Sequence, residues 1–167
     1  MEKKTSLDIL KTAILLEKRG KAFYETVAGK TDDEDVKNIF TIMAKEEQIH
    51  IEFLSEHYKH YDRTGKFEKL PLKSKADKTV ADLVLNKEIT KRLSAAGFEA
   101  AAISASIDME NKAIEVYSKR AREASDESEK ELYQFLADWE KSHLKILHEL
   151  NEELKEKIWH DNQFWPF

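Results

Sequence analysis

The chain has 167 residues, 37% of them charged and 41% hydrophobic, with a net charge of −5. That balance is too apolar for a disordered chain and too charged for a membrane protein, and the interspersed signs give no basic face for nucleic acid. Cysteine is absent, which removes disulfides, thiolate metal sites and thiol chemistry. Only 4 Gly and 2 Pro interrupt the sequence, so long helices in a single all-α domain are expected. No stretch approaches the ~20 apolar residues of a spanning helix, and Lys3-Lys4 precede an amphipathic segment instead of a signal peptide. A cytoplasmic protein is the expectation.

The first helix is predicted from Thr5-Ser6 to Ala28-Gly29. Thr5 or Ser6 would cap it, Asp8 suits its first turn, and Gly29 suits the position just past its end. Its apolar stripe steps by three and four through Leu7, Leu10, Ile14, Tyr24 and Ala28, but Glu17 stands at mid-stripe. Thr31-Asp32-Asp33 reads as a turn. The second helix is expected over about 33–60, with an inward face of Val36, Phe40, Met43, Glu47, His50, Leu54 and His57. Residues 61–97 form a crossover, with a loop over about 63–77 and short helical pieces over 79–96. The third helix is predicted over about 98–123 with the stripe Ile103, Ile107, Glu110, Ile114, Tyr117 and Ala121. After a Ser125-Asp126 turn, the fourth runs to about 157 through Tyr133, Leu136, Glu140, His143, Leu147, Leu150 and Leu154. The aromatic tail 158–167 is expected to pack on the bundle or on a second subunit.

Two of these helices carry Glu-x-x-His, at Glu47/His50 and Glu140/His143, and the pattern occurs nowhere else in the chain. Each has a Glu 30 residues upstream, Glu17 and Glu110, and the second set follows the first at a constant offset of 93 residues. The same offset pairs Ile14 with Ile107, Tyr24 with Tyr117, Phe40 with Tyr133, Ala44 with Ala137 and Leu54 with Leu147. The chain therefore reads as two helical hairpins joined by a crossover long enough to span the bundle. The midpoint of Glu17 and Glu47 is position 32, and that of Glu110 and Glu140 is position 125. Both fall in predicted turns, so each lone Glu faces its partner across an antiparallel hairpin. A pseudo-two-fold axis would then bring all six side chains to one centre.

Residues i and i+3 project from one helix face, so each Glu-x-x-His can reach the same ion or adjacent ions. Four carboxylates and two imidazoles match the di-iron or di-manganese arrangement of helical bundles. Without metal they would be a buried cluster of like charges, which desolvation and repulsion oppose. Oxygen-rich ligation with one His per metal suits Fe or Mn better than a closed Zn site. The metal ligands are thus expected to be Glu17, Glu47, His50, Glu110, Glu140 and His143. The plainer alternative is a bundle with buried polar residues and no metal. Tyr24 and Tyr117, two turns beyond Glu17 and Glu110, are either core aromatics or hydrogen-bond donors to ligand carboxylates. Glu46 either orients a ligand His or is solvated, and its counterpart Trp139 makes the surroundings asymmetric. His57 is expected in the core or at the bundle end, with a ligand role as the alternative, and His60, His148 and His160 on the surface.

These residues resemble the ferritin-like di-iron carboxylate proteins, most closely the rubrerythrin-like branch. The resemblance rests on Glu17 with Phe23-Tyr24, the run 44–50, Glu110 with Val116-Tyr117, and the run 135–143. It implies a four-helix bundle with the long crossover between helices 2 and 3, two metals at the six residues, and reaction of the reduced centre with peroxide or dioxygen. The chain departs from that branch at three points. It has no cysteine for a rubredoxin domain, Ala113 replaces an additional Glu, and Gln48 stands where bacterioferritins place a haem-binding Met. No haem is expected. The expected function is a di-iron or di-manganese oxidoreductase fed by an external electron-donor protein, working as a homodimer without membrane or nucleic-acid partners. Iron uptake or sensing without turnover is the alternative.

Overall fold

A computed structural model describes residues 5–32, 34–69 and 97–161. These residues form four helices: α1 (Ser6–Lys30), α2 (Glu34–Thr64), α3 (Phe98–Glu123) and α4 (Glu127–Asp161). No helix among them is long and apolar enough to cross a membrane. The crossover's expected loop and helical pieces lie mostly on residues 70–96, and the end of the aromatic tail on 162–167, both outside the described residues.

The ends of the helices follow local chemistry. Thr5 caps α1 through a reciprocal box: its hydroxyl accepts from the Asp8 N–H, and the Asp8 carboxylate accepts from the Thr5 N–H. Gly29 was expected just beyond this helix but lies inside it. The chain leaves the helix at Thr31, whose extended backbone caps Val27 and whose hydroxyl donates to Glu99 of α3 at 2.8 Å. α2 runs past the expected end near residue 60 because its stop is Gly65, whose φ of +67° lets the Gly65 N–H close onto the Tyr61 carbonyl at 2.7 Å. α4 likewise extends beyond 157, to Asp161. At its start Asp126 accepts from the Glu129 N–H at 2.9 Å, while Arg120 of α3 pairs with the buried Glu129 carboxylate.

α1 packs along α2, and α3 along α4, giving the two expected hairpins. Their apolar stripes form two separate cores. One gathers Tyr24 and Val27 from the end of α1, Phe40 and Met43 from the start of α2, Ile103 from the start of α3, and Leu147 from the far half of α4. The other gathers Leu10 of α1, Leu54 of α2, Tyr117 of α3, and Leu132 and Leu136 of α4. α2 therefore ends at one end of the bundle and α3 begins at the other. Burying such side chains contributes roughly 1.5–3 kcal/mol each, and two apolar blocks of this kind can support a polar layer between them. On every helix the Glu or the Glu and His of the repeated pattern lie between the two cores.

Candidate metal centre

All six candidate ligands are buried; the most exposed, Glu17 and Glu47, keep only 3% of their surface. Their ligating atoms form two overlapping groups: Glu17, Glu47, His50 and Glu140, and Glu47, Glu110, Glu140 and His143. Within each group these atoms lie within 4.8 Å of one another. Glu47 and Glu140, counterparts at the 93-residue offset, belong to both groups.

Both imidazoles turn Nδ1 toward the carboxylates. His50 Nδ1 is 3.1 Å from Glu17, 3.3 Å from Glu47 and 3.1 Å from Glu140. His143 Nδ1 is 3.4 Å from Glu110 and 3.1 Å from Glu140. The two rings stack with centroids 5.7 Å apart. Several of these close approaches lack hydrogen-bond geometry. Glu17 Oε1, Glu47 Oε2, both Glu140 oxygens and His143 Nδ1 have no hydrogen-bond partner. Buried polar atoms are nearly always satisfied, so this many orphans in one place fit a pair of cations that their lone pairs would share. Among the described residues the donor set suits two hard or borderline divalent ions.

Protons show the same demand for positive charge. Burial alone would lower the pKa of both histidines. The Glu140 charge beside His50, and the carboxylates of Glu110, Glu140 and Glu46 around His143, outweigh it and hold both well above the usual imidazole range. Burial, reinforced by the Glu140 charge, pushes Glu47 up and lifts Glu110 to about 7. For Glu140 burial is overcome by the two imidazoles, chiefly His50, and its carboxyl is held below the usual range.

The surroundings are not symmetric. The Tyr24 hydroxyl of α1 donates across the hairpins to Glu110 Oε1. Tyr117, its counterpart, makes no such bond. Its ring stacks on Tyr133, 6.1 Å away, which turns it into the second core, and its buried hydroxyl has no partner there. Of the two readings open for these tyrosines, Tyr24 donates to a candidate ligand carboxylate, while Tyr117 packs as a core aromatic. Glu46 lies with Oε2 2.5 Å from His143 Nε2. At the matching place behind His50 stands Trp139, edge-on with ring centroids 4.3 Å apart. His57 is buried but lies outside both groups, packed edge-on against Phe53, and burial lowers its pKa. His60 is partly exposed and lies 3.8 Å from Glu68. His148 is exposed, and the side chain of His160 lies outside the described residues. Gly20 was not singled out from the sequence, although the 93-residue offset pairs it with Ala113. A Cβ there would sit 3.3 Å from the Glu47 carboxyl carbon.

A family model described as Rubrerythrin matches residues 8–151, which hold most of both hairpins and all six candidate ligands. The chain belongs to the rubrerythrin family. This is a ferritin-like di-iron family, so the protein is an all-α, ferritin-like bundle of the di-iron carboxylate kind. The matched rubrerythrin span contains no cysteine and hence no rubredoxin-type iron site. No curated protein and no solved structure matches the chain.

Proposed function

We propose that this rubrerythrin-family chain is a cytoplasmic oxidoreductase that reduces peroxide or dioxygen at a di-iron centre, with di-manganese as the alternative loading. The observation that carries this reading is the pair of buried ligand groups sharing Glu47 and Glu140. Glu17 and His50 would hold one ion, Glu110 and His143 the other, and Glu47 and Glu140 would serve both. When bound, two ferrous ions supply one electron each, the two electrons needed to cleave an O–O bond. An external donor protein restores them.

The protein's own groups set the conditions for that reaction. The Tyr24 hydroxyl orients Glu110 through its hydrogen bond. Glu46 fixes His143 with Nδ1 toward the centre and Nε2 toward the carboxylate. On the histidine side Trp139 packs edge-on against Phe135 at 5.3 Å, and Phe135 lies tilted against Phe53 at 5.5 Å, an aromatic wall over that face. A cavity between α1 and α3 reaches the four carboxylates and would give small reactants a route.

The test is elemental analysis followed by turnover. The purified or reconstituted protein should hold close to two equivalents of Fe or Mn. The chemically reduced, metal-loaded protein should consume peroxide repeatedly while reductant lasts. Less than about one equivalent of metal after reconstitution would sink the metal reading. A single round of oxidation that then stops would replace turnover by iron uptake.

A further inference from the structure

We propose that the opening between α1 and α3 is a substrate pocket for an organic hydroperoxide with an anionic head group, so that this class, and not hydrogen peroxide alone, is reduced at the centre. The inference rests on the redox reading above and names its substrate.

The opening is a cavity of about 390 Å³. A water-sized molecule occupies ~30 Å³, so hydrogen peroxide would leave most of it empty, whereas pockets for organic ligands begin at about 300 Å³. Its floor is the carboxylates of Glu17, Glu47, Glu110 and Glu140, the face of the centre away from both histidines. These buried oxygens include Glu17 Oε1, Glu47 Oε2 and both of Glu140, none with a hydrogen-bond partner. The walls are apolar: Leu16, Phe23, Met109 and Ala113.

The floor and walls are built from matched pairs. Leu16 and Met109, and Gly20 and Ala113, stand 93 residues apart, so the pseudo-two-fold axis runs through the cavity. The room comes from that last pair. Gly20 and Ala113 each lie one helical turn past a candidate ligand and line the cavity, and a Cβ at Gly20 would already stand 3.3 Å from the Glu47 carboxyl carbon. The opening carries a further matched pair, the exposed cations Arg19 and Lys112. Lys112 also pairs with Glu115 at 2.6 Å, which leaves Arg19 as the stronger attractor. Two cations at the mouth disfavour entry of a metal cation and favour an anion. Apolar walls beneath them fit an alkyl chain, and the floor fits a group that reacts with metal.

The chemistry balances as ROOH + 2e⁻ + 2H⁺ → ROH + H₂O. The O–O bond breaks and an O–H bond forms on each fragment; a metal pair held by the six residues would supply the two electrons, and an external one-electron reductant would return them.

The experiment compares a medium-chain fatty acid carrying a terminal hydroperoxide with neutral tert-butyl hydroperoxide on the metal-loaded, reduced protein. The acid should have the higher kcat/KM. In the double variant R19E/K112E, whose changes are on exposed side chains, the acid-to-neutral ratio of kcat/KM should fall about tenfold, and the remaining preference should weaken with salt. Independently of turnover, calorimetry on the oxidised, metal-loaded protein should show the corresponding hydroxy acid binding to wild type and not to A113F, with metal content measured for both. No binding of the hydroxy acid, or an unchanged ratio in R19E/K112E, overturns the proposal. So does a second copy of the chain found covering the opening in solution. If no peroxide of any kind is turned over but the hydroxy acid binds, the redox reading fails and the pocket stands.

Discussion

The Glu46 carboxylate of α2 lies 2.5 Å from Nε2 of His143 on α4, while His50, the matching imidazole, has its own Nε2 without a hydrogen-bond partner and Trp139 edge-on against its ring. A carboxylate behind an imidazole fixes its tautomer and makes it the more basic ligand. Two metal ions held here would therefore sit in unequal positions. Replacing Glu46 by Ala should weaken metal binding on the His143 side about 10–100-fold and leave the His50 side nearly as it was. Metal titration should then resolve one tight and one weak site, and Mössbauer spectra of the iron-loaded variant should change in one of two components. An equal loss at both positions would show that Glu46 acts only through overall stability.

The shared and unshared ligands should separate by stoichiometry. Glu47 and Glu140 appear in both ligand groups, whereas Glu17 appears in only one. Glu17→Ala should reduce bound metal from two equivalents toward one. Glu47→Ala should reduce it toward none, because both ions lose a ligand. Elemental analysis of the reconstituted variants, with circular dichroism to confirm helicity, decides between this and a pair of independent sites.

Gly20 lies in the interior of α1, where glycine costs about 1 kcal/mol relative to alanine. Its value is clearance, since an added Cβ would stand 3.3 Å from Glu47 Cδ and 3.4 Å from Glu47 Oε1. Gly20→Ala should therefore leave thermal stability of the metal-free protein unchanged or slightly raised, because the helix gains what the contact loses. Metal affinity should fall, because the displaced carboxylate belongs to both candidate ligand groups. A variant that binds metal as tightly as wild type would show that Glu47 has room to move.

The fold was legible because its signals are redundant. Stripes at helical spacing, scarce breakers and turn residues at the hairpin midpoints all point to the same four helices. The centre was legible through the 93-residue repeat, which fixes heights along the helices without any knowledge of contacts. What the repeat could not show is where symmetry fails. Tyr24 and Tyr117 are identical in sequence, yet only Tyr24 reaches a carboxylate, because Tyr133 draws the Tyr117 ring into a core. Crosswise pairing was also hidden. Glu46 serves the histidine of the other hairpin, three-dimensional information that no spacing carries. The end of α2 was missed because Gly65, and not the polar residues before it, has the left-handed backbone that stops the helix.

Metal removal should reverse the sign of the pH dependence of stability. Glu110 is raised from its ordinary 4.5 to about 7 by burial and by the Glu140 charge. The folded, metal-free protein thus keeps a proton that the unfolded chain has released, and the stabilisation from it, fully present below about pH 4.5, is lost as pH rises toward 7. His50 and His143, both raised well above 6.5, carry the same loss further into the alkaline range. Glu140 acts oppositely, since its lowered pKa adds stability above the ordinary carboxylate range that is lost only in stronger acid. The metal-free protein should therefore melt highest near about pH 5 and at progressively lower temperature toward pH 8. Bound metal replaces those protons with fixed positive charge, so its binding releases protons and tightens as pH rises. The metal-loaded protein should hold or gain melting temperature over the same interval. Differential scanning calorimetry of both forms across that range gives two slopes. Parallel slopes would mean that the cluster does not exchange protons for metal.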